Sequence, residues 1–169
     1  MKKFLVFISA ITVAGIVSAA TATWSCDGIV DKTGTILNGG VAYLFEGDSS
    51  AGVVDALKNG TLSLDDAIET ATTDQYGYFK KTGIGSYSNQ TVSMYMIVFD
   101  GGSADAASNI AVSSVVSQTY GASGNKTFNF KTAMQNPSWS PNPLAVPEPT
   151  TVALLALGLA ALGLKRKVA

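Results

Sequence analysis

The 169-residue chain has no histidine and one cysteine, Cys26. The first absence removes the usual zinc ligand sets and every catalytic triad built on an imidazole base, and the second removes an intramolecular disulfide. Positive charge is scarce away from the ends, since five of the eleven basic residues are Lys2, Lys3, Lys165, Arg166 and Lys167. Between Thr23 and Val146, six lysines face eleven carboxylates, a net charge of −5. An acidic segment without a basic stripe is unsuited to nucleic acid or to an anionic membrane surface.

Long apolar runs are confined to the two ends. Lys2 and Lys3 precede an apolar stretch over residues 4–17, and small residues follow at Ser18, Ala19 and Ala20 and again at Ala20, Thr21 and Ala22. A charged start, a short apolar run and a small-x-small step describe a secretory signal peptide, shorter than the roughly 20 residues a membrane span requires. The spacing predicts Ala22 as the last residue removed, with Ala20 as second choice, so residues 1–22 are assigned to the signal. Trp24, two residues ahead of Cys26, is too bulky for a lipid-attachment site, and a buried small apolar residue on a strand is expected at Cys26 ahead of the alternative, a thiol paired with another chain.

Residues 23–131 carry the strand signals of one exported domain. In "GGVAYLFEG", Val41, Tyr43 and Phe45 alternate with Ala42 and Leu44, predicting a strand apolar on both faces. "TVSMYMIVFD" repeats the pattern, with Val92, Met94, Met96 and Val98 on one face and Tyr95, Ile97 and Phe99 on the other. Further strands are expected over residues 24–30, "IAVSSVVSQTY" and "KTFNFK". "SSAGVVDALKNG" and Ser63-Leu64-Asp65-Asp66 predict two short helices, capped by Ser49 or Ser50 and by a capping box respectively, inserted between strands. In "TTDQYGYFKKTG", Asp74 and Gly77 suit a type I turn that closes a hairpin. Six or seven strands suggest a mainly β fold, a β-sandwich with a two-helix insertion. The run Thr73-Asp74-Gln75-Tyr76-Gly77-Tyr78-Phe79 also resembles the T-D-x-x-G-x-F pattern of transthyretin-like, carboxypeptidase-regulatory-type and Cna-B-type sandwiches. That resemblance implies a sandwich but no ligand.

Chemistry-bearing motifs are few. Asp100, Asp105 and Asn109 offer oxygen ligands in "DGGSADAASN", but their spacing matches no established calcium loop, and a solvated loop is expected. Asn59, Asn89 and Asn125 begin Asn-x-Thr sequons, which arise by chance in a chain rich in both residues. Glu46 with Asp48, and Asp65 with Asp66 and Glu69, come with no nucleophile and base, and the latter group suits the first turn of a helix. No catalytic, cofactor-binding or metal-ligating residue is therefore assigned, no cofactor is expected, and a non-enzyme is favoured.

Five prolines fall between Pro137 and Pro149, predicting an extended linker over residues 132–146. Residues 147–169 then hold Pro147-Glu148-Pro149, a 13-residue apolar or glycine run over residues 152–164, and the basic stop Lys165, Arg166 and Lys167. As a helix that run is roughly 20 Å long at 1.5 Å per residue, against a bilayer core of about 30 Å. It is expected to act as a marginal, transient transmembrane anchor with its basic end cytoplasmic. A glycolipid-anchor signal ordinarily ends in its apolar segment rather than in charges.

The order of motif, short helix and basic stop resembles the PEP-CTERM sorting domain of Gram-negative bacteria. The resemblance implies an exosortase-type membrane protease or transpeptidase as partner and delivery to the cell envelope, surface or extracellular matrix. For the domain itself the expectation is a structural or adhesive role. The alternatives are a polysaccharide-binding module, with Trp24, Tyr43, Tyr76, Tyr78 and Tyr87 as stacking candidates, and an unrecognised enzyme, which would need a concave site with convergent polar groups.

Overall fold

In a computed structural model the described residues are 20–145. Most of the predicted signal, the predicted sorting motif Pro147, Glu148 and Pro149, the predicted apolar C-terminal helix and the predicted basic stop lie outside them. The described residues form nine strands: β1 (Ala20–Cys26), β2 (Val41–Glu46), β3 (Glu69–Thr72), β4 (Phe79–Tyr87), β5 (Thr91–Phe99), β6 (Asn109–Val112), β7 (Val116–Thr119), β8 (Lys126–Asn129) and β9 (Trp139–Pro141). One helix, α1 (Val53–Lys58), and 3-10 turns at Leu64–Asp66 and Thr132–Met134 complete the elements.

The strands build two sheets. The smaller has the order β4-β1-β8, with β1 antiparallel to β4 and parallel to β8. The larger runs β3-β2-β5-β6-β9, and β7 shares one edge of β5 with β6. At one side Gln118 Nε2 of β7 donates to the Thr127 carbonyl of β8 at 3.0 Å, tying the sheets together. Between them lies a core that includes Trp24, Phe79, Leu44, Met94, Met96 and Phe128, and Trp24 meets Phe79 edge-on with ring centroids 4.5 Å apart.

The two-faced pattern of β5 explains why the larger sheet needs a second cover. Val92, Met94, Met96 and Val98 enter the core between the sheets, while Tyr95, Ile97 and Phe99 face outward. The helical insertion covers them with Val53 and Leu57 of α1 and with Leu62 and Leu64, and the loop after β5 adds Ala104 and Ala107. Met94 and Met96 are thus core-filling residues, as the alternation predicts.

Several local expectations meet a different outcome. The α1 N-cap is Gly52 in a left-handed conformation with no side-chain cap, and Ser49 Oγ instead accepts from the Ala51 amide. The capping box at Ser63 and Asp66 is formed, but on a 3-10 turn. "IAVSSVVSQTY" divides into β6 and β7, because Ser113 turns inward and its Oγ accepts the Met96 amide at 2.9 Å. The first strand ends at Cys26 and begins at Ala20, so Ala20 and Ala22, the predicted last residues of the signal, are buried parts of β1.

The turn at Asp74 joins sheets instead of closing a hairpin. Its Oδ1 accepts the amides of Tyr76 and Tyr78 at 2.8 and 3.0 Å, as the turn reading requires. However, β3 is already paired to β2 and β4 to β1, so the chain crosses from one sheet to the other. Gly77 has φ 66° there, and a Cβ would stand 2.6 Å from the Ile29 carbonyl oxygen, so both conformation and space demand glycine.

The largest correction concerns the linker. Past Lys131 the chain does not leave the domain: Met134 is buried, β9 pairs with β6, and Leu144 joins the outer cluster. Proline is tolerated in β9 because it is an edge strand. The folded unit therefore continues to Ala145.

A chain ended after Lys131 is expected to be at least about 3 kcal/mol less stable than one ended after Ala145, from the loss of Met134 burial and the β9 hydrogen bonds. Urea unfolding of the two chains measures the difference, and matching midpoints would return residues 132–145 to the status of linker.

Candidate functional site

The chain approaches Pro147-Glu148-Pro149 through tightly held residues. Trp139 of β9 donates through Nε1 to the Val30 carbonyl at 3.1 Å, fixing the strand against the loop after β1. Asn142 follows between two prolines and is buried. Its Nδ2 donates to the carbonyls of Ala104 and Ala107 at 2.6 and 2.8 Å, and its Oδ1 accepts the Leu144 amide at 3.0 Å. The Asn142 amide itself donates to the Ser108 carbonyl. One side chain thus closes the loop after β5 and orients the last described residues.

Only Val146 separates Ala145 from Pro147 in the sequence. The motif accordingly begins two residues beyond the last described residue. Sequence reasoning missed Trp139 and Asn142 because the surrounding prolines suggested an extended segment. The usable signal was the recurrence of large apolar residues at Met134, Trp139 and Leu144, which a solvated linker does not require.

The remaining candidates separate by burial. Trp24 and Tyr87 belong to the inner core, and Tyr43 packs against the outer cluster. Tyr76 and Tyr78 are exposed at 68 % and 40 %, on either side of Gly77 in the turn pinned by Asp74. Ile36 and Ile68, 45 % and 36 % exposed, are the other large apolar residues left bare among the described residues, and the loop that carries Ile36 contacts this turn through the Ile29 amide and the Gly77 carbonyl.

The carboxylates are occupied with loop geometry. Asp100 Oδ1 accepts the amides of Ser108 and Asn109 at 2.8 Å each, and its Oδ2 accepts from Asn109 Nδ2. Lys32 Nζ donates to Asn109 Oδ1 at 3.2 Å, which places a cation where a calcium site would need a free oxygen. Asp105 is exposed and does not join them. Asp66 serves the capping box, Asp65 gives its amide to Ser63, and Glu69 reaches Lys81 at 3.9 Å across an exposed gap. Glu46 and Asp48 are exposed. Asp31 accepts from the Thr33 hydroxyl and from the amides of Thr33 and Thr35, and the Thr33 hydroxyl is the main cause of its lowered pKa.

Asn59, Asn89 and Asn125 are all exposed. Asn125 has a structural task, since its Oδ1 accepts both the amide and the hydroxyl of Thr21. Cys26 is buried, and burial pushes its thiol up from an ordinary 9.0 to about 12. Tyr120 is pushed up to about 12 as well, by burial and then by repulsion from Tyr87. The Tyr120 hydroxyl and Trp24 Nε1 are the buried side-chain polar atoms, among the described residues, without a hydrogen-bond partner.

Residues 145–167 match the family model of the PEP-CTERM protein-sorting motif. The matched stretch begins at the last described residue and includes the proposed motif, apolar run and basic stop. It marks an exported protein of the cell envelope or surface, sorted by an exosortase. No curated protein matches the chain. Among the described residues, no helix is long and apolar enough to cross a membrane.

The buried thiol gives the fold a defined alkaline limit. Because the folded pKa of Cys26 lies above the unfolded value, its contribution is intact below pH 9.0 and is lost as pH rises toward about 12. Tyr43, Tyr87, Tyr95 and Tyr120 are shifted in the same direction and add to the loss. Urea midpoints should fall above pH 9.0, and Cys26→Ala should flatten the first part of that fall. Iodoacetamide should modify Cys26 only after unfolding, and rapid alkylation of the native protein at neutral pH would contradict the assignment.

Proposed function

We propose that the domain is a structural or adhesive module of the cell surface or extracellular matrix, handed over by an exosortase-type membrane enzyme. The observation that carries this reading is the match at residues 145–167, directly following a folded domain. Proline disfavours helix at its own position and at the residue before it, which suits a motif read as extended backbone in a protease cleft, while Glu148 adds one charge beside the apolar run. The run over residues 152–164 holds the motif at the outer membrane face, and Lys165, Arg166 and Lys167 keep the far end cytoplasmic. The anchoring is transient, ending when the tail is processed.

The domain's role is non-catalytic in this reading. Its carboxylates support caps and turns, and its thiol is protonated and buried. Replacing Pro147, Glu148 and Pro149 together by alanine should leave export intact and trap full-length protein in the membrane. Replacing Lys165, Arg166 and Lys167 by serine should release unprocessed chain outward. Fractionation and intact mass in a host carrying an exosortase distinguish these results, and normal tail processing of the alanine variant would reduce the motif to ordinary chain.

Exposure of Tyr76 and Tyr78 favours polysaccharide binding as a second reading. Both sit on a turn fixed by Asp74, so they offer aromatic faces to sugar rings at little cost in side-chain ordering. Tyr76→Ala with Tyr78→Ala should reduce retention on the host's exopolysaccharide about tenfold if two stacking contacts of about 0.7 kcal/mol each are lost. Unchanged retention would leave the structural role alone.

A further inference from the structure

We propose that Asn59 is a site of non-enzymatic modification, converted to aspartate and isoaspartate when the Gly60 amide nitrogen attacks the Asn59 side chain. The reaction favours an asparagine whose following residue has no side chain to crowd the attack, and two of the eight asparagines, Asn38 and Asn59, precede glycine. The sequence does not separate them. Their surroundings do.

Asn38 stands ahead of a buried clamp. The Gly39 amide donates to the Thr73 carbonyl at 2.9 Å, the Gly40 amide to Thr73 Oγ1 at 2.9 Å, and the Thr73 amide returns a bond to the Gly40 carbonyl at 2.9 Å. Leu37, Gly40 and Thr73 are all buried, and Leu37 belongs to the inner core. Turning the Asn38–Gly39 peptide toward the side chain therefore means opening part of that core, which makes the reactive arrangement rare.

Asn59 ends α1 at the surface. Asn59, Gly60 and Thr61 are exposed, and a Cβ placed on Gly60 would meet nothing within 4 Å. The Gly60 amide is held by one bond of 3.2 Å to the Leu57 carbonyl, and the Thr61 and Leu62 amides share the Ala56 carbonyl. With φ −89° and ψ 0°, Asn59 must rotate before its side-chain carbon meets the Gly60 nitrogen, so the last turn has to fray. A helix of six residues frays readily at its end.

The atoms balance with water alone. The Gly60 nitrogen gives up its proton to hydroxide and bonds to Asn59 Cγ, the Cγ–Nδ2 bond breaks, and Nδ2 leaves as ammonia with a proton taken from water. Water then adds across one C–N bond of the cyclic imide. Opening at Cγ gives aspartate, and opening at the Asn59 main-chain carbonyl gives isoaspartate. Either product sets a carboxylate one turn beyond Asp55, at the negative end of the helix. Isoaspartate also adds a methylene to the main chain just before the residues bonded to the Ala56 carbonyl. Because Val53 and Leu57 of α1 help cover the outer face of β5, the modification loosens that cover.

The test incubates the full-length protein, folded in one sample and in urea in another, at mildly alkaline pH in water carrying the heavy oxygen isotope. Trypsin cleavage after Lys32, Lys58 and Lys80 then puts Asn38 on residues 33–58 and Asn59 on residues 59–80. A site converted during the incubation gains about 3 Da, which sets it apart from conversion during digestion in ordinary water. In the folded protein Asn59 should convert about tenfold faster than Asn38, and in urea the two rates should agree within about twofold. Equal rates in the folded protein, or a folded Asn59 that is as slow as Asn38 while urea releases both, overturns the assignment. Asn59→Gln should remove the early mass gain from residues 59–80, and persistence of that gain in the variant contradicts the proposal.

Discussion

The fold depends on burying β5 on both faces at once. A strand whose alternate residues are all apolar is stable only between two layers, and here the two are made differently. The smaller sheet covers one face with Trp24, Phe79 and Phe128, while α1, the 3-10 turn and the loop after β5 cover the other. β2 repeats the pattern beside it, with Ala42 and Leu44 inward and Val41 and Phe45 outward. The helical insertion between β2 and β3 is therefore part of the core, although neither of its helical pieces is long enough to be stable by itself.

Carboxylates and amides then fix the loops that this layering leaves exposed. Asp31, Asp74 and Asp100 each turn an oxygen toward nearby backbone amides, and Asn142 does the same work on carbonyls. These contacts account for much of the polar chemistry of an acidic domain whose ion pairs, Lys81 with Glu69 and Lys131 with Asp27, lie on its exposed surface.

Period-2 alternation made the long strands legible: β2 and β5 present the faces that their sequences predict. Turn chemistry was equally readable at Asp74 and Gly77, but a local turn signal does not say which strands pair around it, and the chain there passes between sheets. Composition misled at the C-terminal side of the domain, because prolines that suit a linker also suit an edge strand. The sorting signal was readable throughout, because it is a linear order of motif, apolar run and charges that needs no tertiary context.

The clasp around Asn142 also sets the path of mechanical load. Tension applied through a C-terminal attachment enters the domain at Leu144 and Asn142 and passes into β9, whose three residues make a short antiparallel seam with β6. That seam comes first on the route, ahead of the equally short β5–β6 pairing and the longer ladder of β5 and β2. Load therefore draws on Leu144 and Trp139, at the edges of the outer and inner clusters, before it reaches the middle of either core.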